Sequence, residues 1–198
     1  MIRELKGELQ AKAIADSLGL FMTKYRGVYL VGNSKGEMLA KYNIGFHSKE
    51  NVFYDKELFE TDACGFLVIK DKNIVDASSI EIPYNLKKCF CMFRGCLSLE
   101  IPPIIPESVK NCGCMFYGCT SLKEPPIIPK SVISCTGMFA ECTSLETPPE
   151  IPEGVKDCAH MFYGCTSLKE PPHFPEHCNI VEALQGTPFE GAKYDKRT

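Results

Sequence analysis

Through the second half of this chain the apolar positions fall into columns at one fixed interval. Met92-Phe93, Met115-Phe116, Met138-Phe139 and Met161-Phe162 recur every 23 residues. Cys96, Cys119, Cys142 and Cys165 keep step, then Leu99, Leu122, Leu145 and Leu168, then proline pairs beginning at Pro102, Pro125, Pro148 and Pro171. Another column holds Val109, Val132 and Val155, with Cys112, Cys135 and Cys158 three residues after it. The phrase "IPYNLKKCFCMF" from Ile82 matches "IPESVKNCGCMF" from Ile105, so the array opens with half a repeat near Ser79. At its far end Cys178 stands where Val is expected and Val181 where Cys is expected; residues 183–198 lose the pattern and read as a C-terminal cap and tail. A period of this size marks a stack in which each unit buries its apolar face against its neighbours. Ordering one residue's backbone costs about 1–2 kcal/mol, whereas each fully buried Met, Phe, Leu or Val returns about 1.5–3 kcal/mol. A single unit therefore cannot fold alone, and residues 79–182 are expected to form a solenoid of a half repeat and four full ones.

Residues 1–78 pattern differently. Leu5, Leu9, Ala13, Ile14 and Leu18 follow a near-helical spacing that Gly19 would stop. "GVYLVGNSKGEMLAKYNI" then predicts two strands around a turn at Asn33-Ser34-Lys35-Gly36, and "GFLVIKDKNIV" another strand. These elements make a small N-terminal α+β unit that would either cap the first rung of the stack or stand as an independent domain.

Composition and charge narrow the function. Residues 1–90 hold 13 Lys and Arg against 12 Asp and Glu, while residues 91–182 hold 6 against 11, a net of -5 (6 minus 11). The acidic repeat half argues against tracking a phosphate backbone, so no direct nucleic-acid binding is expected. The N-terminus carries Arg3, Glu4, Lys6 and Glu8 and lacks a continuous apolar stretch, so it does not read as a secretory signal, and nothing approaches the length of a membrane span. A cytoplasmic protein is the expectation, with its 12 cysteines reduced.

The thiols invite three readings. "CFCMFRGC" (Cys89, Cys91, Cys96) and "CGCMFYGC" (Cys112, Cys114, Cys119) share a spacing able to hold a soft metal. Two of those three columns continue as part of the core pattern, while the third decays through Cys91, Cys114, Gly137 and His160. Disulfides between successive rungs would need the local spacing of about 4.7–4.9 Å squeezed towards the about 3.8 Å between Cβ atoms that a bridge prefers. Stacked, buried, reduced thiols are therefore the expectation, with no metal and no cofactor. His173 and His177 are four apart, but their proline-rich surroundings make that segment extended, and solvent-facing variation accounts for them and for His160. His47 has no partner evident in the sequence. "GNSKGE" lacks the spacing of a phosphate loop and reads as a turn. No nucleophile with an oriented base is legible, so no enzyme activity and no catalytic residue is expected.

The repeats resemble the leucine-rich repeats of the BspA-like group. "MFYGCTSL" (Met115 to Leu122 and Met161 to Leu168) and the "IPxSV" phrase (Ile105 to Val109, Ile128 to Val132) carry the likeness over roughly residues 79–181. The resemblance implies a right-handed coil with one short parallel strand per rung, and usually a protein-binding role. The chain departs from the group in its proline pairs, which remove two N–H donors and should interrupt the ladder there. The fold class is thus α+β, a small N-terminal α+β cap followed by a leucine-rich-repeat-like solenoid.

On such a scaffold the columns that change between copies build the binding surface. Ile101, Ile104 and Ile127 could form an apolar patch, or pack beneath the N-terminal unit; Glu150 and His173 continue the column of Ile104 and Ile127. Arg94, Tyr117 and Tyr163 occupy the turn after Met-Phe, and Tyr and Arg are common interface anchors. These eight residues are the candidate protein-binding set. The expected function is a non-enzymatic protein-interaction module, in the format of a bacterial or phage-encoded inhibitor or adaptor, whose partner protein carries a basic surface. The alternatives are a cell-surface adhesion protein and an enzyme with its site in residues 1–78.

Overall fold

The computed structural model describes residues 2–6, 11–12, 15–16, 21–25, 28–32, 44–48, 50, 52–83 and 85–191. The N-terminal portion is built from antiparallel pairs. β1 (Ile2–Leu5), β2 (Phe21–Tyr25) and β3 (Val28–Gly32) form a sheet in the order β1-β3-β2, with Leu5 opposite Tyr29 and Tyr25 opposite Val28. β4 (Ile44–His47) pairs with β5 (Val52–Asp55), and β6 (Phe59–Thr61) with β7 (Leu67–Ile69). Two strands fall where the sequence places them, β3 in "GVYLVG" and β7 in "GFLVIK". Leu5, expected in a helix, ends β1 instead, because pairing with β3 outweighs the local spacing. Leu9, Ala13, Ile14 and Leu18 lie outside the described residues, as does the Asn33–Gly36 turn; helical backbone is described at residues 11–12 and 15–16, where Ala11 and Ala15 are buried.

From Cys89 onwards the chain coils. Alternate N–H groups in each "CGCMFYGC" stretch point along the coil axis: those of Cys112, Cys114, Phe116 and Gly118 donate to the carbonyls of Ser134, Thr136, Met138 and Ala140 in the next turn, at 2.8–3.0 Å. The intervening N–H groups of Met115, Tyr117 and Cys119 close tight turns onto Cys112, Cys114 and Phe116. Because turns alternate with these bonds, strand-like parallel pairing among the described rungs is reduced to single bridges running Lys88, Asn111, Ser134, Asp157, Asn179. The last step is 22 residues where the others are 23, and it changes how the end of the array reads. Phe162 donates to Ala183 as Phe139 does to Met161, so Ala183 and Leu184 take the places of Met161 and Phe162 in a fifth turn.

Two positions in every turn carry left-handed backbone. One is the column Cys91, Cys114, Gly137, His160, Glu182 and the other is Gly95, Gly118, Glu141, Gly164, Gly186, with φ between 51° and 74°. The residue types in the first column vary freely because backbone angle, not side-chain chemistry, is what the position must supply.

The core is one continuous column of stacked side chains. Cys, Met, Phe, Leu and Val of successive rungs lie on one another with almost no exposure, and residues from β5, β6 and β7 join the same cluster. Phe93, Phe116, Phe139 and Phe162 stack at 5.7, 5.8 and 5.8 Å between centroids, and the tilted ring of Phe174 packs on Phe162 at 6.2 Å. The N-terminal hairpins are tied to the first turn by backbone bonds from Ile69 to Met92 (2.9 Å) and from Ala77 to Ile101 (2.8 Å). Glu50 adds a carboxylate bond to the Lys87 N–H at 3.2 Å. His47, without a partner in the sequence, is buried here: its Nε2 lies 2.8 Å from the Gly65 carbonyl, and its Nδ1 accepts the Glu50 N–H at 3.2 Å.

Candidate binding face

None of the 12 cysteines is in a disulfide. The column expected to be stacked thiols has a directional role as well. The Sγ of Cys119, Cys142 and Cys165 donates to the carbonyls of Phe93, Phe116 and Phe139, each in the preceding turn, at 3.2, 3.1 and 3.0 Å. Burial pushes the thiols of Cys112, Cys119 and Cys165 up to about 12, which suppresses the thiolate that nucleophilic or metal chemistry requires. Among the described residues no group of three or more His, Cys, Asp or Glu is arranged to hold a metal.

The candidate residues fall into two groups. Arg94, Tyr117 and Tyr163 share the turn column, and the Arg94 guanidinium lies over the Tyr117 ring at 4.8 Å. Burial pushes the thiols of Cys91 and Cys114 up, and the charge of the neighbouring Arg94 draws both part of the way back. Ala140 interrupts this column with a small, buried side chain, and His160 packs edge-on to Tyr163 at 6.3 Å while pairing with Glu182 at 3.4 Å.

The second group lies on the proline segments. Ile104 and Ile127 are 80% and 89% exposed, so they do not pack beneath the N-terminal unit; Ile101 is half exposed and bridges Asp76 through its backbone. Glu150 and His173 are exposed as well. Between the proline segments of the second and third turns runs an open groove of about 900 Å³, walled by Pro125, Pro126, Pro148 and Pro149 and edged by Ile127 and Glu150. Glu107, Glu124 and Glu153 line it too, together with one ammonium among the described residues, Lys130. The sequence placed Glu124 in a variable column and read Glu153 with Glu150 as a solvated face; it missed Glu107 and the groove itself. The signal was present in the paired prolines, whose missing N–H groups keep neighbouring rungs from closing on one another. The ladder is interrupted there: among the described residues, the backbone of Ile127, Ile128, Glu150 and Ile151 makes no hydrogen bond.

A repeated turn with a core Leu, single parallel bridges between rungs and an exposed variable face defines a leucine-rich-repeat solenoid. Among solved structures the chain is similar to a leucine-rich cell surface protein from Faecalibacterium prausnitzii, at 21% identity and a TM-score of 0.49, over 70% of this chain and 37% of that one. It is also similar to a leucine-rich repeat protein from Bacteroides ovatus, at 21% identity and a TM-score of 0.45, over 62% of this chain and 35% of that one. The chain thus spans little more than a third of either protein. The resemblance of its repeats to the BspA-like group stands, as a likeness of fold. No protein-family model matches the sequence, and no curated protein matches it.

The expectation of a cytoplasmic protein is corrected by this comparison, since the Faecalibacterium protein is described as a cell surface protein. The cysteine argument behind that expectation also loses its footing. Ten of the 12 thiols are buried, and burial shields a thiol from oxidants in either compartment, so the cysteine count says nothing about location. Among the described residues no helix is long and apolar enough to cross a membrane.

Proposed function

We propose that this chain is a non-enzymatic protein-interaction module whose partner binds the variable columns of the coil. The observation that carries the reading is the exposure of Ile104 and Ile127, 80% and 89%, at matching positions of consecutive turns on a rigid stack. Large apolar side chains held out to solvent in a fixed array mark a surface that another protein covers. Arg94 and Tyr117, already joined face to cation, supply a second set of anchors. In its adhesion-type form the reading places the partner outside the cell.

The test is affinity capture with the whole chain, comparing wild type with Ile104→Asp/Ile127→Asp and with Tyr117→Ala/Tyr163→Ala at matched thermal stability. Loss of the captured partner in at least one pair is expected. Equal recovery by all three proteins would remove the binding face.

A further inference from the structure

The groove on the proline segments has properties that specify its occupant. Its walls are proline rings, which offer flat apolar surface and no donors. It is lined as well by Ile127, Ile128, Glu150 and Ile151, whose backbone groups make no hydrogen bond among the described residues. Backbone N–H and C=O groups left without a protein partner are satisfied by water or by a ligand. Segments whose backbone groups make no bond among the described residues suit an extended segment laid along them, in the manner of a strand added to an open edge. Among the described lining residues the charge is one-sided: Glu107, Glu124 and Glu150 stand against Lys130. The Glu124 carboxylate is held in place by the Thr147 hydroxyl at 2.8 Å, so part of that charge is fixed before anything binds.

We propose that this groove binds an extended polypeptide segment of a partner protein, one in which Lys or Arg side chains alternate with small apolar ones. The cationic side chains reach Glu124 and Glu150, and the apolar ones lie against Ile127 and the proline rings. The proposal rests on the interaction-module reading and names the chemistry of its partner.

The probe is a fluorescein-labelled acetyl-Lys-Val-Lys-Val-Lys-Val amide, followed by anisotropy with the full chain at low salt. Saturable binding is expected, weakening by about tenfold or more in Glu124→Gln/Glu150→Gln and in Ile127→Asp, and unchanged in Val181→Ala, an exposed position outside the groove. The same peptide with Glu in place of Lys should not bind. Equal affinity of the groove variants and wild type, or equal binding of the Glu peptide, overturns the proposal. So does a concentration-dependent dimer that Ile127→Asp abolishes, which would make a second copy the occupant. Tighter probe binding by Lys193→Glu/Lys196→Glu/Arg197→Glu would assign the groove to the chain's own tail and overturn it equally. If the probe fails while captured partner still depends on Tyr117 and Tyr163, the groove proposal falls and the module reading stands.

Discussion

At the scale of single residues, cysteine is the most instructive type in this chain. It fills a small apolar space in every turn, and in one column its S–H also reaches back to a Phe carbonyl of the turn before. Alanine would fill much of the space without the donor, and serine would supply the donor at the cost of burying a more strongly hydrated group. The same burial has a consequence for pH. In the unfolded chain these thiols ionise near 9.0, whereas in the folded chain those of Cys112, Cys119 and Cys165 hold their protons to about 12. Their contribution is complete below the unfolded value and is lost as pH rises from 9 towards 12, because the unfolded state then binds fewer protons than the folded one. Each such thiol lowers stability by about 1.4 kcal/mol per pH unit in that window. Urea unfolding under reductant should show a midpoint that is level up to about pH 8 and drops steeply above about pH 9. A level midpoint through the alkaline range would mean the thiols are not buried as described.

The element of this fold is the turn, and its shape is set by two left-handed positions. Gly118, at φ 72°, has open space where a Cβ would be, so a substitution there reports backbone strain without a clash. Gly118→Ala should cost about 1–2 kcal/mol, and Gly118→Asn less, because a short polar side chain tolerates this region. Chemical denaturation of the two variants checks it; equal losses would argue against a backbone cause. Glu141 shows that the glycine column accepts an exception. It adopts φ 61° with its carboxylate lying over Gly164, whose missing side chain leaves the room. This also explains what the sequence left puzzling in the decaying column of Cys91, Cys114, Gly137 and His160. Spacing alone offered a metal site, but the common property is a backbone angle that no residue list displays.

For the whole molecule the consequence of stacking is that stability is shared between neighbours. Phe139 lies between Phe116 and Phe162 at 5.8 Å on either side, so Phe139→Ala opens the centre of the column. A loss of about 3–5 kcal/mol is expected, against within about 0.5 kcal/mol for the exposed Ile127→Asp. Thermal unfolding of the two variants measures the contrast, and similar losses would place Ile127 in the core. The β4–β5 and β6–β7 hairpins share this core, since Val52, Phe59, Leu67 and Ile69 lie in the cluster that contains the repeat columns, and the Glu50 carboxylate adds a bond to the Lys87 N–H.

The sequence by itself determined the period, the core columns and the interruption at the proline pairs. Each is a local property repeated often enough to be read without a partner. It also held β3 and β7, whose apolar runs are short and bounded by turn residues. Pairing between distant segments decided the rest. Leu5 sits in a strand because β3 lies beside it, and His47 is buried because Gly65 accepts its ring nitrogen. The array extends to a fifth turn because a one-residue shortening keeps Ala183 in register with Met161. The groove belongs to this second kind. Its prolines, isoleucine and carboxylates were visible as separate columns, but a cavity exists only between rungs, and only the tertiary structure sets how far apart two rungs without a shared ladder will stand.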